Sequence, residues 1–220
     1  MGACPKAGRG RDDRPVPHDT TMHPEAQVTL DDIWQWAYRF VLYGDTPRKG
    51  EKLWRGEQGR HDPTTADPNP TLDGVTQRAF EAFTGQPGAS VFDMTDDQRR
   101  DIYYQNYWLP SGAGKIAAMD KPKLALCHFV TAVNTGMKPA AKMLQRAVRA
   151  PAFPLVVDGA IGPKTLDAIA DVEDREAATK YTGQLVRHYR ALAEAREDLR
   201  PNLKGWLLRV TAIQREIGLV

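Results

Sequence analysis

Residues 121–134 read "KPKLALCHFVTAVN", and Leu124, Leu126, Cys127, Phe129, Val130 and Val133 leave almost no polar face on a helix drawn through them. A helix that is apolar on nearly every side is stable only when other elements surround it. The stretch is too short for a membrane span, which needs roughly 18 to 20 apolar residues, and no other segment reaches that length. A chain with this segment must therefore pack several further helices around a buried central one.

The flanking sequence supplies them. A helix is expected over 29–43, opened by Thr29 and Asp32 at capping-box spacing, with Ile33, Trp36, Ala37, Phe40 and Val41 on one face. A second is expected over 75–84, with Val75, Ala79, Phe80 and Phe83 inward. A third starts at Thr95, with Gln98 completing a capping box, and runs to Trp108. Its stripe of Tyr103, Tyr104, Tyr107 and Trp108 reads as core. Further helices are expected over 138–149, from Pro163, over 173–198 and over 203–217. The last carries Leu203, Trp206, Leu207, Val210, Ile213 and Ile217 as its stripe. Strand signals are confined to "FPLVV" and to a short ribbon inside the loop 44–74. The class is all-α, or nearly so.

Residues 44–74 form a long connection dense in Gly and Pro, and a compact domain seldom keeps such a loop without a use for it. "LPSGAGK" at 109–115 lacks the spacing of a phosphate loop and no strand precedes it. Three bodies are expected: a disordered tail over 1–28, a first lobe over 29–118 and a second helical lobe over 119–220. The 30 basic and 28 acidic residues leave a net charge of +2, too weak to argue for nucleic acid. Cys4 and Cys127 build neither a disulfide framework nor a metal cluster, and His18, His23, His128 and His188 show no metal-ligand spacing. Residues 1–21 lack the apolar run of a secretory signal, so a cytoplasmic protein awaiting release or export is expected.

Three stretches carry a family resemblance: "FVTAVNTGMKPAAKMLQRAV" at 129–148, "VDGAIGPKTLDAI" at 157–169 and "LKGWLLRV" at 203–210. In this order and spacing they resemble the C-terminal half of glycoside hydrolase family 108, lysozyme-like N-acetylmuramidases with an associated predicted peptidoglycan-binding region. The family's N-terminal signature is Glu-Gly-Gly-Tyr, a Pro/Asp-rich loop, then Gly-Ile-Thr opening a helix. Without gaps, its Glu falls on Glu57, its second Gly on Gly59, its loop Thr on Thr71 and its closing triplet on Gly74, Val75 and Thr76. Gln58 and Arg60 depart from the pattern. Two registers are open. In one, "TPRKGEKLWRG" is an insertion and Glu57 holds the catalytic position; in the other, Asp45 does. The ungapped run from Glu57 to Thr76 favours the first.

The resemblance implies an all-α, lysozyme-like fold with a long active-site loop, no cofactor, and a monomer whose partner is peptidoglycan rather than nucleic acid or membrane. Glycoside hydrolysis needs an acid that keeps its proton near neutral pH, and burial against apolar surface raises a carboxyl pKa. Leu53 and Trp54 could supply that surface for Glu57. Asp67 is the choice for the second carboxylate, with Asp62 and Asp73 as rivals. Thr71 or Thr76 would position water, and Gly59, His61, Gly74 and Asn134 would meet substrate. A binding-only protein without catalysis is the alternative.

Overall fold

The computed structural model describes residues 28–43, 70–151 and 154–220. Helix α1 (Leu30–Tyr43) opens on the expected box: Thr29 N donates to Asp32 Oδ2 at 2.9 Å and Asp32 N donates to Thr29 Oγ1 at 3.2 Å. Ile33, Trp34, Ala37, Tyr38 and Phe40 are buried, while Trp36 and Val41 are half-buried. The apolar face is thus wider than the spacing of five residues suggested, because Trp34 stacks on Tyr38 and meets Trp108 and Phe129.

Strands β1 (Thr71–Leu72) and β2 (Val75–Thr76) form the short ribbon, antiparallel, with Thr71 opposite Thr76 and Leu72 opposite Val75. Asp73 at φ 48° and Gly74 at φ 80° make its turn, the pairing that a two-residue hairpin favours. The other strand candidate fails: residues 154–157 of "FPLVV" form no strand. Only Leu155 is buried there, packing singly against helices, and an extended segment gains no ladder without a neighbouring strand edge.

Helix α2 (Gln77–Thr84) begins two residues later than its pattern suggested, because Thr76 is its N-cap and accepts from Ala79 N at 3.2 Å. Helix α3 (Asp96–Tyr103) has the full Thr95–Gln98 box. It continues into a wide turn over Tyr104–Trp108, where Leu109 N bonds the carbonyl of Tyr104 five residues back. Short helices α4 (Leu109–Ser111) and α5 (Ala113–Ala117) flank Gly112, whose φ of 78° suits glycine.

Helix α6 (Pro122–Thr135) is the buried centre, with Leu124 through Ala132 all inaccessible. Around it lie α7 (Met137–Val148), α8 (Pro163–Ala170), α9 (Asp174–Ala195) and α10 (Leu203–Glu216). Helix α9 packs on α6, α7 and α10. Asp174, at its start, accepts from Lys123 N at 3.0 Å and Leu124 N at 2.9 Å, so it caps the first turn of α6 from a neighbouring helix. The expected extent of α9 to 198 is cut short: Glu197–Asn202 is a 3-10 turn holding Pro201, which no α-helix interior tolerates well. One contiguous apolar core runs from Ile33 to Ile217.

Candidate active site

The ribbon closes the long loop on its C-terminal side, and its anchorage is the best-defined part of the site. Asp73 reaches back from the turn to the guanidinium of Arg99 on α3, and both side chains are largely buried. Arg99 also donates from Nε to Tyr38 Oη at 3.1 Å and from Nη2 to Asp96 Oδ1 at 2.7 Å. Burial acts to lower the Arg99 pKa, but the Tyr38 hydroxyl and the flanking carboxylates outweigh it and raise the value. Tyr103 Oη donates to the Asp73 carbonyl at 2.9 Å, and burial pushes its phenol well above the usual range. A Cβ on Gly74 would lie 2.5 Å from that phenol oxygen, so the turn admits only glycine there.

Directly opposed residues of an antiparallel pair project from the same face. Thr71 and Thr76 therefore sit side by side. Thr71 is 3% exposed and its hydroxyl has no hydrogen-bond partner. A buried hydroxyl without a partner carries an energetic cost and calls for a physical explanation. The Thr76 hydroxyl accepts from Ala79 N and retains its own proton to donate.

The structure thus brings Thr71, Gly74 and Thr76 together. Asp73, a rival second carboxylate, is instead committed to Arg99 and the turn. Asn134 is exposed at the end of α6, where Nδ2 donates to the Val130 carbonyl at 2.7 Å and Oδ1 accepts from Arg209 of α10 at 2.6 Å. Glu57, Gly59, His61, Asp62, Asp67 and Asp45 lie outside the described residues, as do Leu53, Trp54 and residues 1–27 of the tail. Arg99 and Tyr38 escaped the sequence reading, which placed Tyr103 in the core without its role in anchoring the turn. The signal was present: Arg99 stands three and four residues before Ile102 and Tyr103, on the inward face of α3.

The second motif region is built on Gln145, 1% exposed on α7. Its Nε2 donates to Asp158 Oδ1 at 2.7 Å and to the Ala160 carbonyl at 2.9 Å, and its Oε1 accepts from Gly159 N at 2.8 Å. The hydrogen bonds from Gln145 and from Ala160 N hold the Asp158 carboxyl below its ordinary pKa. "VDGAIGPKT" is therefore a loop clasped by one amide. Gly159, at φ 87°, lies against α7, where an added Cβ would be 2.8 Å from Lys138 Cγ.

Residues 54–136 match the family described as glycosyl hydrolase 108, and residues 139–211 match the predicted peptidoglycan domain. The chain carries a glycosyl hydrolase 108 region followed by a predicted peptidoglycan domain. The two matched regions meet where α6 gives way to α7. The solved structure of Brucella abortus SagA is similar in fold, with a TM-score of 0.61 at 22% identity over 86% of this chain and 96% of that one. No curated protein matches the chain. The pairing of regions identifies a peptidoglycan hydrolase of the lysozyme-like kind on a mainly α fold. In the glycosyl hydrolase 108 region, the Thr71–Thr76 ribbon joins the Pro/Asp-rich loop to α2. In the predicted peptidoglycan domain, the Gln145 clasp shapes the surface loop.

Proposed function

We propose that the chain cleaves the β-1,4 bond between N-acetylmuramic acid and N-acetylglucosamine, with Glu57 as general acid. The observation that carries this reading is the extent of the glycosyl hydrolase 108 region. It begins at Trp54, three residues before Glu57, and leaves Asp45 outside. Glu57 protonates the departing glycosidic oxygen. Asp67 stabilises the charge that develops on the sugar or activates the attacking water. Thr71 and Thr76, side by side on the ribbon, orient that water by hydrogen bonding. The orphan hydroxyl of Thr71 supports this role, since a buried donor without a protein partner is ready for a water or a carboxylate. Gly59, Gly74 and His61 border the path of the glycan.

Release of reducing ends from purified peptidoglycan tests the proposal. Glu57→Gln keeps the shape and removes the titrating proton. Hydrolysis should fall about 100-fold or more, the ordinary worth of a positioned acid, with fold and wall binding retained. Asp45→Asn should cut at the wild-type rate. Loss of activity in Asp45→Asn alone would transfer the role to Asp45. Muramic acid at the new reducing ends identifies the bond; N-acetylglucosamine there would make the chain a glucosaminidase. A wild-type protein that binds walls and releases nothing would be the binding-only alternative that Gln58 and Arg60 raise.

A further inference from the structure

The "LPSGAGK" turn and the "VDGAIG" loop, distant in sequence, face each other across a cavity of about 140 Å³ where the two matched regions meet. Gly112 and Lys115 line one wall; Met137, Ala141, Gly159 and Ile161 line the other. The walls nearly touch at one point, since a Cβ on Gly112 would lie 3.7 Å from Ile161 Cδ1. At roughly 30 Å³ per water, the space equals about five waters. That is room for one small residue and too little for a disaccharide.

Its chemistry is two-sided. Met137, Ala141 and Ile161 offer apolar surface. Lys115 is exposed and has no acidic partner among the described residues, and the stems of Lys138 and Lys142 border Gly159. The adjacent carboxylate, Asp158, is turned away to Gln145 and Ala160 N. A small apolar group bearing a free carboxylate satisfies both sides. On glycan strands the lactyl carboxylate of muramic acid is consumed in the amide bond to the peptide stem, whereas the stem itself ends on a free methyl-bearing carboxylate at a terminal D-alanine.

We propose that this cavity binds the terminal D-alanine of a peptidoglycan peptide stem. The methyl group rests against Met137, Ala141 and Ile161, and the carboxylate meets Lys115. The assignment rests on peptidoglycan as the partner and not on Glu57 chemistry. The chain would thereby grip the peptide as well as the glycan.

The test is a titration of the full chain, followed by backbone amide NMR shifts. The probes are diacetyl-L-lysyl-D-alanyl-D-alanine, its C-terminal amide and inorganic phosphate. The free acid should move Gly112, Lys115, Gly159 and Ile161, and the amide and phosphate should not. Lys115→Glu should weaken binding about tenfold or more, as loss of one charge-assisted contact implies, with an unchanged melting temperature. Equal shifts from the amide or from phosphate, shifts mapping elsewhere, or unaltered binding by Lys115→Glu would each overturn the assignment. Hydrolysis is measured in parallel. A wild type that binds the peptide and does not cut walls refutes the catalytic reading alone, and one that cuts walls and ignores the peptide refutes this one alone.

Discussion

Arg99 and Arg100 carry the same charge and meet opposite fates. Arg100 lies on the outer face of α3 and pairs with Asp97 at 3.0 Å, in water, where such a pair contributes little. Arg99 is 6% exposed and anchors the ribbon turn through Asp73. Removal of one partner from a buried pair leaves the other charge uncompensated, so this contact has far more leverage than the surface ones. His128 is a second buried group with a specific consequence. Its Nε2 donates to the Ser111 carbonyl at 2.9 Å, its Nδ1 faces Tyr181 Oη at 3.1 Å, and burial lowers its pKa from 6.5 to about 4. The unfolded chain takes up this proton below about pH 6.5 and the native protein only near pH 4. Stability is therefore unaffected by this group above pH 6.5 and falls as pH drops through that window, by about 3 kcal/mol in all. His128→Gln keeps a polar amide and removes the titration. Urea midpoints at pH 7 and pH 4.5 should diverge less for the variant than for wild type. An equal divergence would show that His128 does not contribute.

At the scale of elements, capping and patterning explain most boundaries, and the clasp on α7 explains a loop. Gln145 holds Asp158, Gly159 and Ala160 at once, and Thr165 Oγ1 lies 3.4 Å from its Nε2. Gln145→Leu fills the volume, leaves Gly159 N without its partner and leaves the Ala160 carbonyl only the 3.4 Å bond from Thr165 Oγ1. The expected loss is about 1–3 kcal/mol, the cost of buried polar groups left unsatisfied. Thermal denaturation should show a clear fall in melting temperature, and a variant melting with the wild type would mean the loop holds itself. "VDGAIGPKT" was legible as a turn from Asp158-Gly159 and as a helix start from Pro163. Its dependence on Gln145 was not, because residues 13 to 20 apart in sequence meet only after α7 and α8 have packed.

At the scale of the molecule, both matched regions share one core. Helix α6 belongs to the first region and is enclosed by α5 from that region, by α7 and α9 from the second, and by α1, which precedes both. Trp36 Nε1 on α1 donates to Glu216 Oε1 on α10 at 2.6 Å, which ties the first helix to the last. Two lobes that share a central helix lose it together. Calorimetry should therefore show a single unfolding transition whose calorimetric and van't Hoff enthalpies agree. Two resolved transitions would mean that the regions fold independently.

The sequence by itself determined the helical class, the buried central helix, the Thr29 and Thr95 caps and the family resemblance, because periodicity, capping and motif spacing are local. It also marked the Asp73-Gly74 turn region as part of a functional loop, through the run from Glu57 to Thr76. Only the tertiary structure decided that Asp73 serves Arg99, that Thr71 is left with an unpartnered hydroxyl, that Asn134 binds Arg209 and that residues 154–157 form no strand. Each of these depends on which distant backbone or charge arrives beside the residue. A one-dimensional pattern sets a side chain's face, while the packed core sets its partner.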